Sequence, residues 1–150
     1  MGKKRSLTIS GRYKEIKHAC EFVSEGAAHA GFDEDAIFQV QLACDEACTN
    51  VIEHTYQAEG VGDITLSWEV RGDKFIVVIE DKGHPFDPDD IPPAPVPPLP
   101  IDASVEDDLK VGGLGVYFMR KLMDKVTYSY REGSGNVLTM IKQLPGKKKQ

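Results

Sequence analysis

A glutamate and an asparagine stand one helical turn apart near the middle of the chain. They are Glu46 and Asn50, in the run Asp45-Glu46-Ala47-Cys48-Thr49-Asn50, and His54 follows at the same interval. At about 100° per residue, these side chains line one edge of a helix predicted over residues 36–54. An amide oxygen can hold a metal ion and a carboxylate can take a proton, so the pair suits phosphate chemistry. A solvated strip beside the core is the alternative interpretation.

The other side of this predicted helix is apolar and includes two of the three cysteines. The apolar stripe is formed by Ile37, Val40, Cys44, Ala47, Cys48 and Val51. Cys44 and Cys48 fall inside it, which favours buried small hydrophobes over a metal site lacking His or further Cys partners. An odd number of cysteines without a close CxxC spacing is typical of a reduced compartment.

An aspartate and a glycine end the strand predicted over residues 74–80. In Asp81-Lys82-Gly83 the carboxylate is suited to accept a hydrogen bond from an exocyclic amine, and Gly83 leaves room for a planar ring. An ordinary strand-ending turn explains these residues equally well.

A glycine cluster, Gly112-Gly113-Leu114-Gly115, opens the last predicted helix. Glycines at a loop-to-helix junction let backbone N–H groups approach phosphate oxygens. Taken alone the cluster is weak evidence, since it matches neither common phosphate-loop motif and plain turns also contain glycines. A proline-rich segment precedes it, and a connection this long in a compact domain favours a lid over a mere linker, predicted over about residues 88–112.

The order of predicted elements is strand, helix, helix, hairpin, lid, helix, hairpin. The strands are predicted over residues 7–10, 64–70, 74–80, 125–131 and 136–143, with the first helix from 12 to 30. Hairpins outnumber parallel crossovers, so we expect an α+β two-layer sandwich whose three helices cover one face of a mixed, mostly antiparallel sheet. The length of 150 residues suits one domain spanning residues 1–150.

Charge and hydropathy exclude two classes of partner. A net charge of −6 argues against direct nucleic-acid binding, which requires a broad basic surface. No apolar run approaches the length of a membrane span, and the basic start lacks the apolar core of a signal peptide. We therefore expect a cytoplasmic protein that does not bind membranes.

The motifs follow one another in a familiar order: Glu46 with Asn50, Asp81 with Gly83, a long lid, and the glycines of Gly113-Leu114-Gly115. This order resembles the N, G1 and G2 boxes of the Bergerat-fold (GHKL) ATPase superfamily, which includes gyrase, histidine kinases and MutL. Within it the chain is most similar to the small anti-sigma-factor serine/threonine kinases of bacterial stress and sporulation switches. The resemblance extends from the first strand to the last hairpin.

The resemblance implies a role for each polar residue near the phosphates of ATP or ADP. Asn50 would coordinate Mg²⁺, and Glu46 would be the base that takes the proton of the acceptor hydroxyl. Gly113-Leu114-Gly115 would wrap the phosphates as the lid closes. Phosphoryl transfer needs mainly positioning and charge neutralisation with one base, so the chemistry and the resemblance agree.

The resemblance also implies three residues around the adenine base. Asp81 would bind the adenine amino group, Gly83 would lie under the ring, and Thr139 would add a further contact to adenine.

For the whole protein, the resemblance implies a Mg²⁺- and ATP-dependent serine/threonine kinase that phosphorylates an anti-sigma-factor antagonist protein and sequesters a sigma factor. It also implies pairing as a homodimer. One alternative is a regulatory module that binds nucleotide and sequesters a partner without transferring phosphate. Another is a subunit of a larger two-component or phosphorelay system.

Overall fold

The computed structural model describes residues 4–85 and 113–145. Its five strands and three helices are β1 (Lys4–Ser10), α1 (Tyr13–Ala30), α2 (Glu34–Asn50), β2 (Asp63–Arg71), β3 (Lys74–Asp81), α3 (Gly113–Leu122), β4 (Lys125–Arg131) and β5 (Gly135–Gln143). A π-helical turn, Val51–Thr55, continues α2. The lid predicted over residues 88–112 lies outside the described residues.

The strands form one sheet in the order β1-β2-β3-β5-β4. Each of its four ladders is antiparallel, so the predicted α+β class is confirmed, while the described strands contain no parallel pair that would make the sheet mixed. Strand β3 is central, between β2 and β5, and its last residue is Asp81. Asp81 therefore lies at the end of the central strand, with strand ends of the sheet on both sides of it.

One face of the sheet is covered by helices, as predicted. In β3 the side chains of Phe75, Val77 and Ile79 are at most 1% exposed, whereas Ile76 and Val78 remain partly exposed. The run of consecutive apolar residues in β3 suggests a strand covered on both sides, but within the described residues only alternate positions are fully buried. Burial therefore follows the pleat of the strand.

Helices α1 and α2 lie side by side because the chain between them turns sharply. Gly31 has a left-handed conformation, φ 104°, and its N–H bonds to the last carbonyls of α1. Asp33 then caps α2, accepting a hydrogen bond from the backbone N–H of Ala36 at 2.9 Å. Both ends agree with the sequence pattern. Local capping interactions thus define where α1 ends and α2 begins.

The core lies between this helix layer and the sheet. It contains Val23, Val40, Cys44, Cys48, Leu66, Phe75, Met119 and Met140, each without measurable exposure. No helix of the described residues is long and apolar enough to cross a membrane.

Candidate functional site

The end of α2 carries the polar pair that the sequence singles out. Asn50 is 6% exposed, and within the described part of the chain its amide nitrogen has no hydrogen bond of good geometry, although its side chain interacts with Tyr128. Glu46, one turn earlier, is half-buried. A buried amide group left without a partner costs about 1–3 kcal/mol. That cost is offset when a ligand completes the site, so this position suits a bound group.

Helix α2 changes its geometry immediately after Asn50. The backbone N–H of Tyr56 bonds to the carbonyl of Val51 at 2.8 Å, the spacing of a π-helical turn, and the Thr55 hydroxyl donates to the same carbonyl. The α-helical interval therefore holds from Glu46 to Asn50 but not onward to His54. Such turns occur often at functional sites, and the sequence pattern does not reveal this one.

Asp81 is buried and held firmly at the end of β3. It is 4% exposed, and its Oδ1 accepts hydrogen bonds from the Gly83 backbone N–H at 2.8 Å and from Asn136 Nδ2 at 2.9 Å. The Asn136 amide also donates to the His84 carbonyl at 2.7 Å. Neither bond to Asp81 uses Oδ2, so that oxygen is suited to accept from a ligand.

Two glycines allow the backbone to pack closely around Asp81. A Cβ at Gly83 would collide with the carbonyl of Thr55, which also accepts the His84 N–H at 2.8 Å. A Cβ at Gly135 would collide with the Asp81 carbonyl, and Gly135 has φ 95°. On its Cβ side Gly83 therefore packs against the π-helical turn, and its place under a planar ring stays a prediction.

Tyr56 ties the same turn to the start of β2. Its hydroxyl donates to the Asp63 carbonyl at 2.6 Å and accepts the backbone N–H of Lys82 at 3.0 Å. Burial raises the pKa of Tyr56, while the Lys82 bond opposes this and the charges of Asp81 and Asp63 add to it. The tyrosine stays neutral and keeps its donor role.

A small cavity of about 20 Å³ lies between α2 and the sheet. It is lined by Ala47, Asn50, Val51, Thr55, Ile79, Asp81, Tyr128, Asn136 and Leu138. Asn50 and Asp81 thus border the same space, although 31 residues separate them in the chain. The volume is about that of one water-sized probe, so a larger ligand requires its walls to move.

Tyr128 is the wall residue that the sequence analysis missed. It interacts with the Asn50 side chain, and its hydroxyl lies 3.9 Å from the Met119 sulfur of α3. Burial raises the pKa of Tyr128 well above its usual value, opposed by the Arg120 charge and the Asn50 hydrogen bond. Alternate side chains of β4 face the helices, and Val126 and Tyr128 are among them. This alternation in the sequence is the signal that could have identified Tyr128.

Thr139 lies away from the other candidate residues. It pairs with Val78 and with Thr127, on the sheet face opposite the helices. Asn136, which pairs with Asp81, faces the cavity instead. The adenine contact expected for Thr139 is therefore corrected: Asn136 is the β5 residue at the site. Three residues separate the two positions, and an odd shift reverses the face of a strand.

Gly113, Leu114 and Gly115 form the start of α3. The first backbone N–H groups of a helix lack intrahelical partners and favour anions. Helix α3 packs against α2, the helix that ends at Asn50. Their predicted position at a helix start is confirmed, and their contact with phosphate stays a prediction.

A second, larger cavity of about 660 Å³ lies on the other side of the Asp81 turn, which we define as residues 81–84. It shares Thr55 and Asp81 with the small cavity, but its described lining includes neither Glu46 nor Asn50. Because the polar pair of α2 borders the small cavity through Asn50, we place the candidate site there.

The described side chains could bind a cation only together with ligands from water or a substrate. Within residues 4–85 and 113–145, no group of three or more His, Cys, Asp or Glu side chains could hold a metal ion. Asn50 offers one amide group at the small cavity. Mg²⁺ commonly binds through one or two protein oxygens, with water and substrate phosphates completing the shell. The residues present fit that arrangement.

Comparison with known proteins gives the same result over most of the chain. Residues 9–142 match the family described as histidine kinase-like ATPase domain. The chain is 41% identical over 123 residues to a protein of Halalkalibacterium halodurans named serine-protein kinase RsbW, covering 81% of this chain and 72% of that protein. It is 34% identical over 122 residues to the Bacillus subtilis protein of that name, covering 81% and 74%. The chain therefore belongs to the histidine kinase-like ATPase family.

Proposed function

We propose that the protein is an ATP-dependent protein serine/threonine kinase and anti-sigma factor. It phosphorylates a small anti-sigma-factor antagonist and sequesters a sigma factor. The observation that carries this proposal is a half-buried carboxylate, Glu46, one turn from the buried amide of Asn50. Relatives 34–41% identical to the chain are named serine-protein kinases, which supports the same activity.

Adenine binds at the Asp81 turn. The Oδ2 atom of Asp81 accepts a hydrogen bond from the exocyclic amine, while Gly83 and Asn136 hold Oδ1. Asn136 takes the place expected for Thr139 and orients the carboxylate. Gly83 acts through the backbone, since its packing against Thr55 sets the direction of the turn.

The phosphates bind between the start of α3 and the end of α2. Backbone N–H groups of Gly113-Leu114-Gly115 receive the phosphate oxygens, and the two glycines allow close approach. Asn50 supplies an oxygen to Mg²⁺. When bound, this ion neutralises the charge of the phosphates.

Glu46 is the general base. Its carboxylate takes the proton of the acceptor serine or threonine hydroxyl as that oxygen attacks the terminal phosphorus, the bond from this phosphorus to the bridging oxygen breaks, and ADP leaves. Placement on the same helix as Asn50 fixes the base one turn from the metal ligand. Phosphoryl transfer depends on this positioning more than on further covalent chemistry.

The test of the proposal is phosphate transfer from labelled ATP to the antagonist protein. Glu46→Gln lowers the transfer rate by roughly 10²–10⁴-fold, the usual contribution of a general base, and leaves nucleotide affinity unchanged. Glu53→Gln is the matched control, because Glu53 is exposed and is bonded by the Tyr13 hydroxyl. Transfer by the Glu46 variant at the wild-type rate would remove its role as base.

The same assay separates the kinase from a regulatory module that only binds nucleotide, since the module would retain ATP and label nothing. The relatives' names favour the kinase. We also propose a cytoplasmic location, and a homodimer whose formation light scattering can measure. Strand β1 is an edge of the sheet and offers one surface for pairing.

A further inference from the structure

All three cysteines lie where α1 packs against α2, and the proposed catalysis uses none of them. Each is a free thiol. Cys20, on α1, is partly exposed, whereas Cys44 and Cys48, on α2, are fully buried. The cluster thus extends from the surface at Cys20 to two buried thiols on α2, the helix that carries Glu46.

The Cys20 thiol packs against the turn of α2 that leads to Cys44. Its sulfur lies 3.7 Å from the carbonyl oxygen of Gln41, three residues before Cys44, and Cys20, Gln41 and Asp45 line the same groove. Cys20 interacts with Cys44, which also interacts with Cys48 one turn along α2. Residues with small side chains surround this contact, including Ala19 and Ala43 at 0% exposure. The two helices can therefore approach closely here.

Among residues 4–85 and 113–145, the exposed side of this cluster is at Cys20. Cys20 lines an open groove of about 480 Å³ together with Tyr13, Ile16, Lys17, Phe38, Gln41, Leu42, Asp45 and Thr49. Cys44 and Cys48 do not line it. A small dissolved oxidant therefore meets Cys20 first, and Cys44 reacts only through its neighbour.

The two contacting thiols differ in character. The hydrogen bond from Cys44 lowers the pKa of Cys20, against the opposing effects of burial and of the Asp45 and Glu21 charges. The same bond, that to Cys48 and burial raise the pKa of Cys44 well above its usual value. An accessible thiol of lowered pKa beside a buried thiol of raised pKa is the arrangement of a reactive cysteine and its resolving partner.

We propose that Cys20 is a peroxide-reactive modification site and that Cys44 resolves it, so that oxidation joins α1 to α2 by a Cys20–Cys44 disulfide. The Cys20 thiolate attacks one oxygen of hydrogen peroxide, the O–O bond breaks, and water leaves after protonation, giving a sulfenic acid. The Cys44 sulfur then attacks the Cys20 sulfur, and the hydroxyl leaves as water with the Cys44 proton. Two thiols lose two electrons, and one peroxide becomes two waters.

The disulfide has a consequence for the proposed kinase. Cys44 lies two residues before Glu46 on the same helix, and a disulfide requires its sulfur atoms to be about 2 Å apart. Drawing α1 and α2 together therefore shifts the helix that holds Glu46 and Asn50, which lowers nucleotide affinity. This consequence rests on the proposed function, whereas the disulfide itself does not.

The experiment maps the oxidised cysteines in the full chain. Reduced protein is treated with hydrogen peroxide, free thiols are alkylated, and peptides are identified by mass spectrometry. The wild type yields one disulfide between Cys20 and Cys44. Cys20→Ser yields none, and Cys44→Ser stops at a sulfenic acid on Cys20 that dimedone traps. Cys48→Ser, the matched control, forms the disulfide as the wild type does.

Other mapping results overturn the proposal. These are a bond between Cys44 and Cys48, a dimer cross-linked through Cys20, or a wild-type chain in which Cys20 stays reduced. Thermal melting shows whether each variant is folded, and the wild-type map stands without the variants. Nucleotide affinity of the oxidised protein is measured before and after reduction. A mapped disulfide with unchanged affinity overturns the kinase consequence, and unmeasurable affinity in the reduced protein counts against the proposed function instead.

Discussion

The two ends of the candidate site are built differently. At the Asp81 turn the geometry is already fixed: two donors hold Oδ1, Oδ2 is left to accept from a ligand, and two glycines leave no room for a side chain. At the end of α2 the buried Asn50 nitrogen has no hydrogen bond of good geometry among the described residues, and the Asn50 side chain interacts with Tyr128. A ligand thus finds one end preformed and completes the other.

This difference assigns the two ends distinct tasks. A preformed site loses little conformational freedom when its ligand binds, so it can bind adenine tightly and selectively. An end that is completed by its ligand can respond to what is bound there, because only a ligand that contacts it changes its energy. We infer that the Asp81 turn recognises the nucleotide and that the Asn50 end senses metal and phosphate.

The sharpest way to break the preformed end is a side chain at Gly135. Gly135→Ala combines φ 95° with a collision against the Asp81 carbonyl, so we expect a loss of stability of about 3 kcal/mol or more. Gly133→Ala is the matched control, since φ is 86° there but the space is open, and it costs about 1–2 kcal/mol. Urea unfolding measures both, and equal losses would show that the close packing is unimportant.

The next largest effect tests the recognition assigned to Asp81. Asp81→Asn replaces an acceptor oxygen by a donor and removes the charge, which costs about 1.5–3 kcal/mol of binding, or roughly 10–100-fold in ATP affinity. Calorimetry measures the change. Thr139→Val, on the opposite sheet face, leaves affinity unchanged. Normal affinity in the Asp81 variant, or a loss in the Thr139 variant, would contradict the placement of adenine.

The smallest effect tests the adaptable end. Tyr128→Phe removes the hydroxyl that interacts with Asn50. The Asn50 side chain can then bind Mg²⁺ without first breaking its contact with Tyr128. One hydrogen bond contributes about 0.5–1.5 kcal/mol, and we expect Mg²⁺ to improve affinity by roughly 2–10-fold more in the variant than in the wild type.

Nucleotide affinity is measured with Mg²⁺ and with a chelator, and the ratio of the two affinities gives the improvement due to Mg²⁺. The affinity measured with the chelator serves as the internal reference for each variant. Tyr130→Phe is the control, since Tyr130 is an exposed tyrosine of the same strand. An unchanged ratio in the Tyr128 variant would separate Tyr128 from the metal site.

Sequence reasoning succeeded wherever the cause was local. The helical interval joins Glu46 to Asn50, Gly31 ends α1 and Asp33 begins α2, because each depends on residues within one or two turns. The turn at Gly72 between β2 and β3 follows for the same reason. These features need no knowledge of the rest of the chain.

It failed where the answer depends on a distant neighbour. Asn136 became the β5 residue at the site through its register with Asp81, and Thr139 was excluded by the same register. Tyr128 reaches the cavity only because β4 pairs with β5 and α3 packs above it. A shift of one residue in strand register would exchange all inward and outward side chains.

The amino-acid sequence alone thus establishes the chemical groups of the site and the helix that spaces two of them, because helical periodicity is a property of neighbouring residues. Only the tertiary structure shows which oxygen of Asp81 is held, that the Asn50 nitrogen lacks a hydrogen bond of good geometry among the described residues, and that Cys20 lies beside the turn that leads to Cys44. These are contacts between residues far apart in the chain. Their geometry is set by the packing of helices on the sheet, which no local pattern records.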